Sequence, residues 1–324
     1  MTEDDVVAAI REIVEPSSRT SVRLGIGDDA ALWQPSRSHR SAISTDMLVE
    51  GVHFTRETMS LEDAGWRAVA ANLSDLAAMG ARPLLATVAL GVPAQASFDD
   101  LMALYRGMAA LARRAGLAIV GGDLTRAPTL TLAIAVVGEV RPSNVTTRGG
   151  GRPSDVLAVT GRLGAARAGL AVARGEATLD PPLARAALAA LRRPEPRLAE
   201  GRFLAASRNV RAMMDCSDGL STDLDRLCAA SGCGARLEAV PAAPAARAVA
   251  QTRGEEPERF ALAGGEDFEL IVAVRARAFG YLAARFKALF GRELLRVGVL
   301  REGAGLFWGE EPLARSGWDH FSAG

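Results

Sequence analysis

Short apolar runs in this chain end repeatedly on a carboxylate beside a glycine or a hydroxyl. The first instance is Gly25-Ile26-Gly27-Asp28-Asp29-Ala30-Ala31-Leu32, which runs on to Ser44-Thr45-Asp46 and Gly51-Val52-His53-Phe54. The pattern returns at Asp75, at Gly121-Gly122-Asp123 and at Asp215-Cys216-Ser217-Asp218-Gly219. Taken singly, each is a turn, a helix cap or a strand end. Repetition argues for more. Glycine lets a backbone approach a phosphate, and a helix N-terminus favours an anion. A carboxylate in the same place repels that phosphate unless a cation stands between them. Carboxylate, hydroxyl and carbonyl oxygens are the ligands of hard cations such as Mg²⁺. The five acidic sites therefore point to metal-bridged phosphates, provided that the fold brings them together.

The remaining pattern is mixed. Apolar spacing predicts helices over Glu3–Val14, Leu61–Met79, Phe98–Ala115, Gly164–Arg174, Pro182–Arg193, Leu220–Ala230 and Phe279–Phe290. On the second of these, Asn72 and Asp75 are three residues apart and share a face beside the apolar stripe. Strands are predicted around Ala30–Trp33, Ser41–Ser44, Leu84–Leu90, Leu117–Val120, Thr129–Val140, Asp155–Thr160, Val210–Met214, Phe268–Val274 and Leu294–Leu300. This even mixture reads as two α/β or α+β domains. A length of 324 residues agrees, because single cores seldom grow past ~250–300 residues. The aperiodic stretch Arg141–Pro153, rich in Gly, Pro, Ser, Thr and Arg, is the expected boundary, giving domains 1–145 and 146–324. Within it, Thr147, Arg148 and Gly149–Gly151 are also candidates to face a phosphate.

Several functions are excluded by what is missing. Lys287 is the only lysine, which removes a Walker-type phosphate loop, a Schiff base and a catalytic lysine. His39, His53 and His320 have no zinc-enzyme spacing, and Cys216, Cys228 and Cys233 form no zinc knuckle or disulfide framework. A formal net charge of zero offers no field for nucleic acid. No apolar run reaches the ~18 residues of a membrane span, and Thr2–Asp5 is unlike a signal peptide, so a cytoplasmic location is expected. Clustered Asp without matching Lys suits several Mg²⁺ ions around a polyphosphate, where catalysis is mostly positioning and charge neutralisation.

The succession GIGDDAAL, ISTDMLVEGVHF, NLSDLAAMGARP, GGDLTR, DCSDGLSTDL and GGEDFEL, closed by GWDHF, resembles the thiamine-monophosphate kinase family. That family belongs to the superfamily of aminoimidazole ribonucleotide synthetase, selenophosphate synthetase and a hydrogenase-maturation protein. The resemblance covers the chain from Leu24 to Phe321 in the family's order. It implies the superfamily's fold, an N-terminal α/β domain whose sheet pairs with a second copy in a homodimer, and a C-terminal α+β domain completing the active site. The implied reaction is ATP-dependent phosphorylation of thiamine monophosphate to thiamine diphosphate. The implied Mg²⁺ ligands are Asp29, Ser44, Thr45, Asp46, Asp75, Asp123 and Asp215, with Asp218 on a further ion. Gly122, Asp123, Arg148 and Ser217 would contact ATP, and His53, Glu266 and Trp318 the thiamine part. One residue of register exchanges Asp28 for Asp29.

This reaction accounts for the absence of an obvious general base. A phosphate monoester, with a second pKa near ~6, is largely ionised at neutral pH, so its attacking oxygen carries no proton to remove. Direct in-line transfer without a phosphoenzyme is expected. The alternative is a sister ATP-dependent synthetase acting on a purine precursor or another small substrate. No cysteine precedes Cys216, no lysine precedes Lys287, and the chain closes Phe321-Ser322-Ala323-Gly324, all unlike the selenophosphate and hydrogenase-maturation enzymes. Cys216 reads as a small packing residue, with no base in sequence to activate it.

Overall fold

A computed structural model of the protein describes residues 3–14, 21–26 and 30–318, with side chains in the first helix from Asp5 onward. Asp28 and Asp29, and residues 319–321 of the GWDHF motif, lie outside the described residues. The chain divides into two compact units, one made of Met1–Leu76 with Ala81–Pro142 and the other of Ala77–Gly80 with Ser143–Gly324.

The first unit contains α1 (Glu3–Val14), β1 (Val22–Leu24), β2 (Leu32–Trp33), β3 (Arg40–Val49), α2 (Leu61–Ala78, which runs just past the unit's edge), β4 (Arg82–Val92), α3 (Phe98–Ala115), β5 (Ala118–Arg126) and β6 (Thr131–Val140). Four strands form a sheet in the order β3-β6-β4-β5, with β4 and β5 parallel and the other pairs antiparallel. The parallel pair needs a crossover, which α3 supplies. That helix is set by its ends: Ser97 and Asp100 form a capping box, and Gly116 closes it in the left-handed region. Strand β6 alternates, burying Leu132, Ile134, Val136 and Val140. Among the described residues the opposite face is covered only towards its Val137 end, where Val22 and Ala31 pack with Leu85 and Val137. Register puts Ile43, Thr45 and Met47 beside Val137, Ala135 and Ala133, with Thr87 and Ala89 next in line. Ile43 is 73% exposed and Met47 56%.

The strand β5 was expected to stop at Val120 before a Gly-rich turn, but it continues through Gly121, Gly122 and Asp123. Pairing with β4 through Thr87–Val92 carries it on, past a bulge at Ala86/Thr87. A Cβ on Gly122 would lie 2.0 Å from the Val88 carbonyl oxygen, so β4 itself requires glycine there. Asp46 likewise sits inside β3 rather than ending it.

The second unit contains β7 (Val156–Val159), α4 (Ala165–Ala173), α5 (Pro181–Arg192), α6 (Leu198–Ala205), β8 (Val210–Cys216), α7 (Leu220–Ser231), β9 (Gly234–Leu237), α8 (Pro244–Thr252), α9 (Pro257–Leu262), β10 (Glu269–Val274), α10 (Ala276–Phe290), β11 (Leu295–Arg301), β12 (Leu306–Trp308) and β13 (Glu311–Leu313). Its seven strands run in the order β13-β12-β9-β11-β7-β10-β8, antiparallel except for β12 beside β9. Every residue of β10 is buried, so its unbroken apolar run reflects cover on both faces. Leu270, Val272 and Val274 join Leu282 and Phe286 of α10 and Leu204 of α6. Ile271 and Ala273 face Leu220, Leu224 and Leu227 of α7.

Helices α2 and α3 touch backbone to backbone. A Cβ on Gly107 would fall 1.8 Å from the Glu62 carbonyl oxygen, and one on Gly65 would fall 2.0 Å from that of Leu104. Gly107→Ala should therefore lower stability despite alanine's better helix propensity, by about 1–3 kcal/mol as the helices are forced apart. Urea unfolding of the variant beside the wild type measures it, and an unchanged midpoint would contradict the close crossing.

Candidate functional site

In the first unit, β3 and α2 bring hydroxyl and carboxylate oxygens together. The Ser44 hydroxyl donates to Asp75 Oδ2. Two residues along the same strand face, the Asp46 amide donates to Asn72 Oδ1 at 3.1 Å. Asn72 in turn donates from Nδ2 to Ala68 O, 2.9 Å, which fixes its amide orientation. The spacing of Asn72 and Asp75 thus does what one helical turn allows: both reach the same strand. The Thr45 hydroxyl donates to Ile134 O at 3.0 Å, and His53 Nδ1 accepts from the Val49 amide at 3.1 Å, closing the turn after β3.

Asp123 belongs to another row. Asp46 is in line with Ile134, Val88 and Gly122, whereas Asp123 is in line with Ala89, Ala133 and Met47 on the other face. Three strand spacings separate β3 from β5, about 14 Å at Cα. Among the described residues, no group of three or more His, Cys, Asp or Glu is positioned to hold a metal ion. The donors that β3 and α2 do assemble are all oxygens, the set suited to Mg²⁺ rather than to zinc.

The second unit gathers more of the sequence candidates. Asp215 and Cys216 end β8, and the loop Ser217-Asp218-Gly219 leads into α7. Asp223, fully buried in the first turns of α7, directs Oδ2 back at this loop. It accepts from the amides of Ser217 (3.0 Å), Asp218 (2.9 Å) and Gly219 (3.2 Å). Arg226 Nη1 donates to Asp223 Oδ1 at 2.8 Å and also to Asp218 Oδ2. Burial, and then the Asp218 charge, pushes the Asp223 carboxyl up to about 6. The expectation that loop amides before this helix stand ready for an anion is corrected here, because the chain's own carboxylate takes all three.

Two further segments flank the loop. The Glu266 amide donates to Ser217 O at 2.6 Å, the Phe268 amide to Cys216 O at 3.0 Å and the Trp318 amide to Asp218 O at 2.9 Å. Ser217, Asp218, Glu266 and Trp318 are thereby brought to one place, with the Trp318 side chain 53% exposed. Glu266 and Phe268 both hold positive φ, 69° and 48°, an expensive conformation for side chains of that size. Arg148 O accepts from the Ser231 hydroxyl at 2.9 Å. The glycines that follow it press on backbone: Cβ atoms on Gly149 and Gly150 would each lie 2.8 Å from a carbonyl oxygen, of Ala230 and Arg211.

Sequence reasoning passed over three acids here, Asp223 and Glu269 buried and Asp267 half-buried. Besides Asp223, Asp267 Oδ2 and Oδ1 accept from the amides of Gly164 (2.5 Å) and Ala166 (3.2 Å) at the start of α4. Glu269 is held by Arg197 (2.8 Å), Arg292 (2.6 Å) and the Thr160 hydroxyl (2.6 Å). All three sit inside the quoted motifs, but their amide and arginine partners are remote or on the backbone, where residue patterns are silent. Cys216 is fully buried, and burial with the surrounding acids Asp223, Asp267, Asp215 and Glu269 raises its thiol well above the ordinary value. It is no nucleophile.

A four-stranded sheet unit followed by a seven-stranded one, with acids at β3, α2 and the β8–α7 loop, defines a two-domain protein of the aminoimidazole ribonucleotide synthetase type. Residues 27–140 match the N-terminal domain of the AIR synthase related proteins and residues 152–294 their C-terminal domain. A thiamine-monophosphate kinase from Synechococcus elongatus is 41% identical over 253 residues, 76% of each chain. The crystal structure of thiamine-monophosphate kinase from Stenotrophomonas maltophilia K279a is 34% identical, with a TM-score of 0.85 over 97% of this chain and 98% of that one. A structure described as AaThiL complexed with AMPPCP and TMP is 27% identical, with a TM-score of 0.79 over 89% of each. The chain belongs to the thiamine-monophosphate kinase family.

Asp267 gives this unit a pH signature. Burial raises its carboxyl from 3.8 to about 7, against the opposing pull of the Gly164 and Ala166 amides. Between those values the folded chain holds a proton that the unfolded chain has lost. The group's contribution is therefore largest at acid pH and declines as pH rises through about 7. The stability gap between wild type and Asp267→Asn should be wider at pH 5 than at pH 7.5 in urea unfolding. A gap that widens with rising pH would contradict the protonated form.

Proposed function

We propose that the protein transfers the γ-phosphoryl group of ATP to thiamine monophosphate, giving ADP and thiamine diphosphate. The observation that carries this is the junction in the second unit, where Ser217 and Asp218 meet Glu266 and Trp318 through two backbone hydrogen bonds. Family membership supplies the rest of the support. An oxygen of the substrate monophosphate attacks the γ-phosphorus as the bond to the β–γ bridging oxygen breaks, and ADP leaves. No proton moves at the nucleophile.

Trp318 offers an exposed indole face to a cationic thiazolium ring, and Glu266 a carboxylate beside it. His53, anchored through Nδ1 to Val49, is assigned to the same substrate, and Gly122, Asp123, Arg148 and Ser217 to ATP. Ser44, Thr45, Asp46, Asp75, Asp123, Asp215 and Asp218, with Asp29, are the residues proposed to hold magnesium. Bound Mg²⁺ would neutralise the charge that keeps two polyanions apart. The less covered face of the first unit's sheet, with Ile43 and Met47 outward, is proposed to pair with a second copy in a homodimer. Among the described residues no helix is long and apolar enough to cross a membrane, and a cytoplasmic enzyme is the reading we adopt.

ATP, Mg²⁺ and thiamine monophosphate incubated with the protein should yield ADP and thiamine diphosphate one for one, and free thiamine should give neither. Turnover only with an aminoimidazole precursor would move the assignment to a sister synthetase. Trp318→Ala should raise KM for thiamine monophosphate roughly 2- to 30-fold, the scale of a cation–π contact, and leave KM for ATP unchanged. Equal shifts in both would take Trp318 out of the substrate site. Met47→Glu should convert the dimer to monomer in light scattering, and a dimer that persists would assign the contact to another surface.

A further inference from the structure

Three consecutive peptide planes link Cys216 to Gly219, and each is used at both ends. The amides of Ser217, Asp218 and Gly219 all point at Asp223 Oδ2. In a trans peptide the carbonyl points opposite to the amide of the same plane. The three carbonyls of Cys216, Ser217 and Asp218 are therefore turned outward, and they accept the amides of Phe268, Glu266 and Trp318 respectively. Two glycines permit the approach. A Cβ on Gly265 would lie 2.7 Å from Ser217 O, and one on Gly317 would lie 2.2 Å from Asp218 O.

We infer that Asp223 is a positioning residue for the substrate side of the site: by orienting these three planes it sets where Glu266 and Trp318 stand. The carboxylate itself is fully buried, so it acts through the loop. Arg226 holds its other oxygen and ties it to the Asp218 side chain. The strap carrying Trp318 gains two more ties to α7, the Ser316 amide to Ser221 Oγ at 3.0 Å and the Gly317 amide to Thr222 Oγ1 at 3.2 Å. Neither reaches the loop carbonyls, which only the Asp223 arrangement turns toward Glu266 and Trp318. The inference rests on the proposed reaction for its kinetic arm and on hydrogen exchange for its structural arm.

The test compares Asp223→Ala, Asp223→Asn, Gly317→Ala and Leu282→Ala in the full chain. Leu282, packed in the core on the far face of β10, reports general loss of stability. Asp223→Ala should free the 217–219 amides to exchange while β10 stays protected, and should lower kcat/KM for thiamine monophosphate about 100-fold, mainly through KM, as small misplacements do. Asp223→Asn keeps one oxygen to accept the amides and should recover most of both losses. Gly317→Ala presses on the Asp218 carbonyl from outside and should raise KM for thiamine monophosphate without disturbing Asp223, which also serves if Asp223→Ala does not fold. Leu282→Ala should leave kcat/KM within about threefold of wild type. Intact protection at 217–219 in Asp223→Ala, no KM change in Gly317→Ala, or an equal kinetic loss in Leu282→Ala would overturn the inference. A wild type that binds ATP but does not turn over thiamine monophosphate would overturn the proposed reaction instead, and the exchange data would still decide the role of Asp223.

Discussion

The second unit depends on one buried carboxylate meeting three neighbouring amides. An ionised side chain without water is costly, and three N–H groups with an arginine are close to the most that a protein can offer one acid in return. The arrangement converts a helix N-terminus, ordinarily an invitation to an outside anion, into a closed internal joint. What the joint turns outward is the three loop carbonyls, and with them the two segments that they hold.

The same economy appears at the other acids. Asp267 ties the start of α4 to the segment between two residues of positive φ, and Glu269 draws in two arginines and a threonine at the head of β10. Asp267 lies between Glu266 and Phe268, and Glu269 follows Phe268 directly. Backbone strain at Glu266 and Phe268 is thus sustained from several directions, as strained segments in functional sites generally are. The two partners of Glu269 are arginines, which stay charged across the physiological pH range.

Local signals marked the elements they control. Helix α1 and helix α3 occupy the residues that their apolar stripes predict, and α3 ends at the glycine that cannot continue it. Strand β5 was read too short because Gly-Gly-Asp is locally a turn, and only its neighbour β4 makes it a strand. Helices α6, α8 and α9 were passed over because prolines and alanines blur their periodicity, while their cover is tertiary. For the site, the family resemblance named Ser217, Asp218, Glu266 and Trp318, and backbone hydrogen bonds join them. It named no partner for Asp223, since a bond from a side chain to amides four to six residues back leaves no trace in apolar pattern. An acid one turn into a helix, following a loop of small residues, is the signal that could have found it.

Among the described residues the first unit's sheet has a helix-covered face and an apolar face that is covered only near Val137. For a chain that pairs through the second, folding and association share one free-energy term, since the area removed from water at the interface is part of what holds the sheet. Its thermal midpoint would then rise with protein concentration, while the second unit, buried on both sides of its own sheet, would melt at a temperature indifferent to dilution. Two transitions in one chain, only one of them obeying mass action, is how such a division of cover would present itself in a calorimeter.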